Sequence, residues 1–171
     1  MQNPFIVPIL AIAAAACVTD VTTRRIPNVL TFGAVAGALL VRGVLFGMSG
    51  VIDASAGWLT GFILLFPLFF VRGLGAGDVK LVAALGAWFG PIDGLWLALY
   101  TAILGGVIGV GYSLARGYLG TAFSNIGTIG SHWIVSGFQP VPGMTLDNTE
   151  RPRLPYALPI LLGTMVTLWL H

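Results

Sequence analysis

Charge is what this sequence lacks. Only 8% of its 171 residues are charged, 57% are hydrophobic, and the mean hydropathy is +0.94. Soluble domains carry about 25% charged residues, so a water-soluble fold is excluded, and the length leaves no room for a second, soluble domain. A net charge of +2 is too small to draw in nucleic acid. There is one cysteine, Cys17. It can form neither an internal disulfide nor a zinc cluster, and it reads as a small buried hydrophobe. A basic segment ahead of the first apolar run is also missing. Residues 4–19 are therefore read as a retained span rather than a cleaved leader.

What is present is a series of apolar runs. At ~20 residues per helix the chain holds about six spans. The expected fold is an all-α membrane protein, with residues 1–171 forming one polytopic domain. Span one runs from about Pro4 to Asp20 and ends in the polar turn Thr22 to Asn28. Span two covers about Val29 to Gly47, with Arg42 near its far end, placed to snorkel to the interface. Ser49 to Asp53 read as a short turn, and span three as about Ala54 to Val71. Span four starts at Asp78 and ends near Trp88-Phe89-Gly90-Pro91. Span five covers about Gly94 to Leu114, where Gly105, Gly106, Gly109 and Gly111 offer a close-packing face. The last span runs from about Leu154 to Leu170. Between the last two, residues 117–150 read either as an interfacial helix carrying Leu119, Phe123, Ile126, Ile129 and Trp133, or as a loop.

Basic residues orient the chain. With Arg24 and Arg25 in the cytoplasm and six alternating spans, Arg72, Lys80, Arg116, Arg151 and Arg153 also fall inside. Only Arg42 falls outside, which is a strong positive-inside signal. Both termini are expected outside. Asp20 and Asp78 come out at one level, near the cytoplasmic face.

These two acids stand apart from the others. Asp53, Asp93, Asp147 and Glu150 read as members of connecting segments. Asp20 and Asp78 lie at span boundaries, where a charge near hydrocarbon is expensive and marks a functional site. Two carboxyl groups brought close cannot both ionise easily. One then takes a proton from water while the other polarises a peptide carbonyl. Helix ends divide the roles. Asp78 opens a span, where negative charge is favoured, and Asp20 closes one, where it is disfavoured. That makes Asp78 the expected base and Asp20 the expected acid. Taken singly, Asp78 also fits a helix N-cap, and Asp20 an interfacial partner of Arg24 or Arg25. Lys80 fits a positive-inside anchor, and His132 an interface polar group.

Three stretches carry a family resemblance. They are Asp20 with Arg24-Arg25-Ile26-Pro27-Asn28, then Gly75-Ala76-Gly77-Asp78-Val79-Lys80, and Leu154-Pro155-Tyr156-Ala157-Leu158-Pro159. In order and spacing they resemble the type IV prepilin peptidases, intramembrane aspartic proteases of the GxGD class. The resemblance implies cleavage of the leader of prepilin or pseudopilin substrates at the cytoplasmic face of the bacterial inner membrane. It implies Asp20 and Asp78 as catalytic residues, with no metal and no cofactor. Gly75 and Gly77 would shape the loop that brings Asp78 to its partner, with Lys80 in support. Arg24 and Arg25 would meet the substrate leader. Pro155 and Tyr156 look like the proline-containing segment near the active site of distant relatives such as presenilin. Longer members of the family carry a zinc-binding insertion with paired CxxC motifs and also N-methylate the product. Neither motif pair is here, so methylation is not expected. The short form looks like the peptidases of Flp/Tad-type pili. Archaeal preflagellin peptidases are also short but carry a larger soluble insert. Two other classes compete: a proton- or ion-coupled transporter using Asp20 and Asp78, and a scaffold subunit that needs neither.

Overall fold

The computed structural model describes residues 4–70, 74–115 and 155–171. Nearly all of these are helical, and none is in a strand. In chain order the helices are α1 (Ile6–Thr23), α2 (Asn28–Phe70), α3 (Ala76–Phe89), α4 (Pro91–Ala115) and α5 (Ala157–Leu170). Three of them, α1, α2 and α4, are long and apolar enough to cross a membrane. Helices α3 and α5 have 14 residues each, short of the ~20 that a full crossing needs.

Helix α2 is two arms. Gly47 has φ 65° and ψ −147°, a conformation open to glycine and strained for other residues. The chain reverses there, so Gly43 faces Val51 and Gly50 lies against the Arg42 carbonyl. The expected turn over Ser49 to Asp53 is therefore corrected. One glycine makes the reversal, and Asp53 is already helical.

Helix α3 runs through the middle. Every residue from Leu81 to Gly90 is buried, as an all-apolar helix requires. Its sides fit both arms of α2. Gly37 of the first arm touches the Trp88 ring, and the Trp88 Nε1 donates to the Ala34 carbonyl at 2.9 Å. In the second arm, Gly57 lies against the backbone of Gly86 and Gly90, and Gly61 against Val82. Side chains at these glycines would force the helices apart.

Gly90 ends α3 at φ 89°, and Pro91 opens α4. Proline suits a first helical position because its missing N–H would have no partner there. Asp93 lies in the first turn of α4, where negative charge is favoured, rather than in a connection. Of the four glycines expected to form a packing face, only Gly105 meets another segment among the described residues, the Tyr156 ring just before α5. Gly106, Gly109 and Gly111 meet nothing within 4 Å among the described residues.

Arg42 does not snorkel. It is only 8% exposed. The reversal at Gly47 carries Asp53 back over it, and α3 ends against it. Its Nη1 donates to the Trp88 carbonyl at 2.8 Å, and its Nη2 pairs with Asp53 at 3.2 Å. The guanidinium also stands 5.5 Å from the Phe5 ring centre. The outward faces, in contrast, carry exposed Val29, Val44 and Trp169, a surface suited to hydrocarbon rather than water. Residues 117–150, with His132, and the side chains of Arg72, Arg116, Arg151 and Arg153 lie outside the described residues.

Candidate active site

Asp20 sits in the last turn of α1, which continues to Thr23. It is buried, and its Oδ2 accepts the Ala157 N–H at 3.1 Å. That N–H belongs to the first residue of α5, one of the donors a helix start leaves without an internal partner. Asp20 therefore meets a helix N-terminus after all. The helix-end argument for dividing the roles fails here, because each carboxyl faces a helix start.

Asp78 is the third residue of α3 and is half-buried. Its Oδ2 reaches back to the Gly75 N–H at 3.2 Å, the acidic half of a capping box. Gly75 is needed for space. Its φ of −76° is ordinary, but a Cβ there would stand 2.8 Å from the Asp78 Oδ2. Gly77 receives Ile26, whose Cβ would lie 3.3 Å from a Cβ at 77. The basic turn and the glycine motif thus lock together.

A second tie joins the same two stretches. Lys80 Nζ donates to Asn28 Oδ1 at 3.1 Å and stands 5.4 Å from the Phe32 ring centre. Lys80 is more than an orienting charge, since it fastens α3 to the start of α2. Arg24 and Arg25 are exposed. Arg24 closes α1 in the left-handed region, at φ 53°, its N–H on the Asp20 carbonyl at 2.8 Å.

The two carboxyl groups lie within electrostatic reach of each other, and Asp78 also acts on the Tyr156 phenol. Tyr156 precedes α5, and its hydroxyl points to the Thr101 carbonyl of α4 at 3.5 Å. The Pro155 carbonyl accepts the Leu158 N–H at 3.3 Å in the same turn. Four helices therefore converge on one place. From α1 comes Asp20, from α3 Asp78, from the start of α5 the Ala157 N–H, and from α4 the backing for Tyr156. Among the described residues no group of three or more His, Cys, Asp or Glu is arranged to hold a metal.

Sequence reasoning missed several partners. Ala157 acts through its backbone, which no side-chain pattern reveals. Asn28 and Ile26 stood inside a quoted motif, without a role. Gly105 was one glycine among four.

An arrangement of two carboxyls from separate helices, each fed by a backbone N–H, suits acid–base chemistry on a peptide. Residues 7–110 match the type IV leader peptidase family, and the chain belongs to that family. It is similar to the prepilin leader peptidase/N-methyltransferase of Aeromonas hydrophila, 33% identical over 110 residues, covering 58% of this chain and 36% of that protein. The protein of the same description from Pectobacterium carotovorum subsp. carotovorum is 38% identical over 98 residues, covering 51% of this chain and 32% of its own. The type 4 prepilin-like proteins leader peptide-processing enzyme of Escherichia coli O78:H11 is 36% identical over 86 residues, covering 46% and 32%. The chain thus spans about a third of the length of the curated relatives it matches. No solved structure matches it.

Proposed function

We propose that this protein is an intramembrane aspartic endopeptidase that removes the leader from prepilin-like precursors, Asp20 and Asp78 acting as its catalytic pair. The observation that carries the reading is that these two carboxyls, 58 positions apart in sequence, lie within electrostatic reach of each other in a member of a leader peptidase family. One carboxylate takes a proton from water, and the other carboxyl polarises the scissile carbonyl. Gly75 leaves room for the Asp78 carboxyl and Gly77 for Ile26, which together set the position of Asp78. Arg24 and Arg25, both exposed close to Asp20, meet the substrate's leader. The substrate helix docks laterally and unwinds at the cut, because a helical peptide hides its carbonyl in a hydrogen bond.

The finer reading is a Flp/Tad-type prepilin substrate, six spans with both termini outside, and a site near the cytoplasmic face of the bacterial inner membrane. It also has no N-methylation. The names of the Aeromonas and Pectobacterium relatives join peptidase and methyltransferase, whereas the match covers about a third of their length. Family membership weighs against the transporter and scaffold readings.

The test is cleavage of a Flp-type prepilin in membranes by wild type, Asp20→Asn and Asp78→Asn, with the new N-terminus read by mass spectrometry. A single cut before the pilin helix, a bare amine, and a loss of about 10²–10⁴-fold in equally inserted variants are expected. Cleavage at the wild-type rate by either variant would end the two-carboxyl reading.

A further inference from the structure

The start of α5 holds Asp20 through one backbone N–H, so something must hold the start of α5. Two contacts with α4 do this. At the first, Tyr156 lies over Gly105. A methyl group at 105 would overlap the Tyr156 hydroxyl and come within 2.5 Å of its Cζ and 2.7 Å of its Cε2. The hydroxyl points to the Thr101 carbonyl at 3.5 Å, which in an α-helix is the acceptor for the N–H of residue 105. A side chain at 105 would cover that carbonyl, and glycine leaves it open. At the second contact, one helical turn earlier on α4, Thr101 is fully buried, and a Cβ at Gly163 of α5 would stand 2.6 Å from its Oγ1. Both contacts are close fits with no slack for a methyl group.

Tyr156 and Ala157 are consecutive. Tyr156 already has helical dihedrals, φ −73° and ψ −13°. Seating the ring over Gly105 therefore fixes the direction of the next N–H, which lies 3.1 Å from Asp20 Oδ2. Half a ring-width of displacement would move that donor out of hydrogen-bond range.

We propose that Gly105 is a positioning residue for Asp20: it is the socket that seats Tyr156 and thereby holds the α5 N-terminus on the Asp20 carboxyl. The proposal rests on the reading of Asp20 as catalytic. Gly105 touches neither substrate nor reacting atoms, and it acts only through Tyr156 and the Ala157 N–H.

The experiment measures kcat and KM for a synthetic prepilin in micelles with the full chain. Gly105→Ala is expected to lower kcat at least about tenfold, as small displacements of reacting groups do, with KM within about twofold. Gly105→Ala combined with Tyr156→Leu, which trades the ring tip for the added methyl, is expected to regain most of the loss. Gly106→Ala, whose Cβ meets nothing within 4 Å among the described residues, is the control and keeps wild-type kcat. Should Gly105→Ala not accumulate as folded protein, Tyr156→Leu alone carries the test, because it empties the socket and is expected to show the same fall in kcat. Wild-type kcat in Gly105→Ala or in Tyr156→Leu, or a double variant no better than either single one, overturns the proposal. The peptidase reading survives that result if wild type cleaves and Asp20→Asn does not. A wild type that cleaves no prepilin removes both.

Discussion

Replacing Arg42 with Met tests whether the end of α3 opposite the site is held by one side chain. Methionine keeps much of the stem's volume and removes the guanidinium. The largest loss is the bond to the Trp88 carbonyl, 2.8 Å and buried. Trp88 is in the last turn of α3, so its carbonyl has no helical partner. Left unpaired, it costs about 1–3 kcal/mol. Losing a cation at a helix C-terminus costs about 0.3–1 kcal/mol, and losing the Phe5 ring contact about 0.5–1 kcal/mol. The Asp53 pair adds little, because the Asp53 side chain is 58% exposed and solvent screens it. One term opposes these. The Arg42 Nε is buried with no partner among the described residues, and removing a buried charge that is incompletely satisfied regains stability. The unpaired carbonyl decides the sign. The net loss is about 2–3 kcal/mol, or about 4–12 °C in Tm for a chain of this length. Thermal unfolding in detergent, followed by tryptophan fluorescence, measures it. Asp53→Asn is expected to cost under about 0.5 kcal/mol. If Arg42→Met melts with wild type, or Asp53→Asn melts as early as Arg42→Met, the Trp88 carbonyl is not what Arg42 secures.

Other outcomes follow from the same contacts. Gly57→Ala drives a methyl into the Gly86 and Gly90 backbone, and overpacking of this kind costs about 1–3 kcal/mol; Gly33→Ala, with nothing within 4 Å among the described residues, is expected to be neutral or stabilising in the same melt. Gly75→Ala places a carbon 2.8 Å from the Asp78 Oδ2, so it is expected to reduce cleavage about tenfold or more while leaving Tm within about 2 °C; a full-rate variant would show that the carboxyl does not need that space. Trp88→Phe removes the buried bond to the Ala34 carbonyl and is expected to cost about 1–2 kcal/mol. Lys80→Met loses the Asn28 bond at an exposed site, so it is expected to cost under about 1 kcal/mol, read in the same melt.

The sequence by itself determined the apolar, all-helical class of fold and the family. Scarce charge forces burial in hydrocarbon, and the length of each apolar run sets where helices lie, because both are local properties of the chain. Asp20 and Asp78 were legible for the same reason: a carboxyl beside apolar runs is costly wherever the helices pack. The three motifs resembling leader peptidases were equally plain; the first two lie within residues 7–110, which match the family, and the third lies outside that range. Tertiary structure decided the partners. That Arg42 is buried followed from the reversal at Gly47, a single residue whose dihedrals no pattern reports. The sequence placed Asp20 at the unfavourable end of α1. Only packing brought the start of α5 to it, 137 residues away. The four glycines of α4 looked alike in sequence, yet only Gly105 meets another segment among the described residues, at Tyr156. Periodicity shows which residues share a helix face. It does not show what that face meets, because the meeting depends on elements far along the chain.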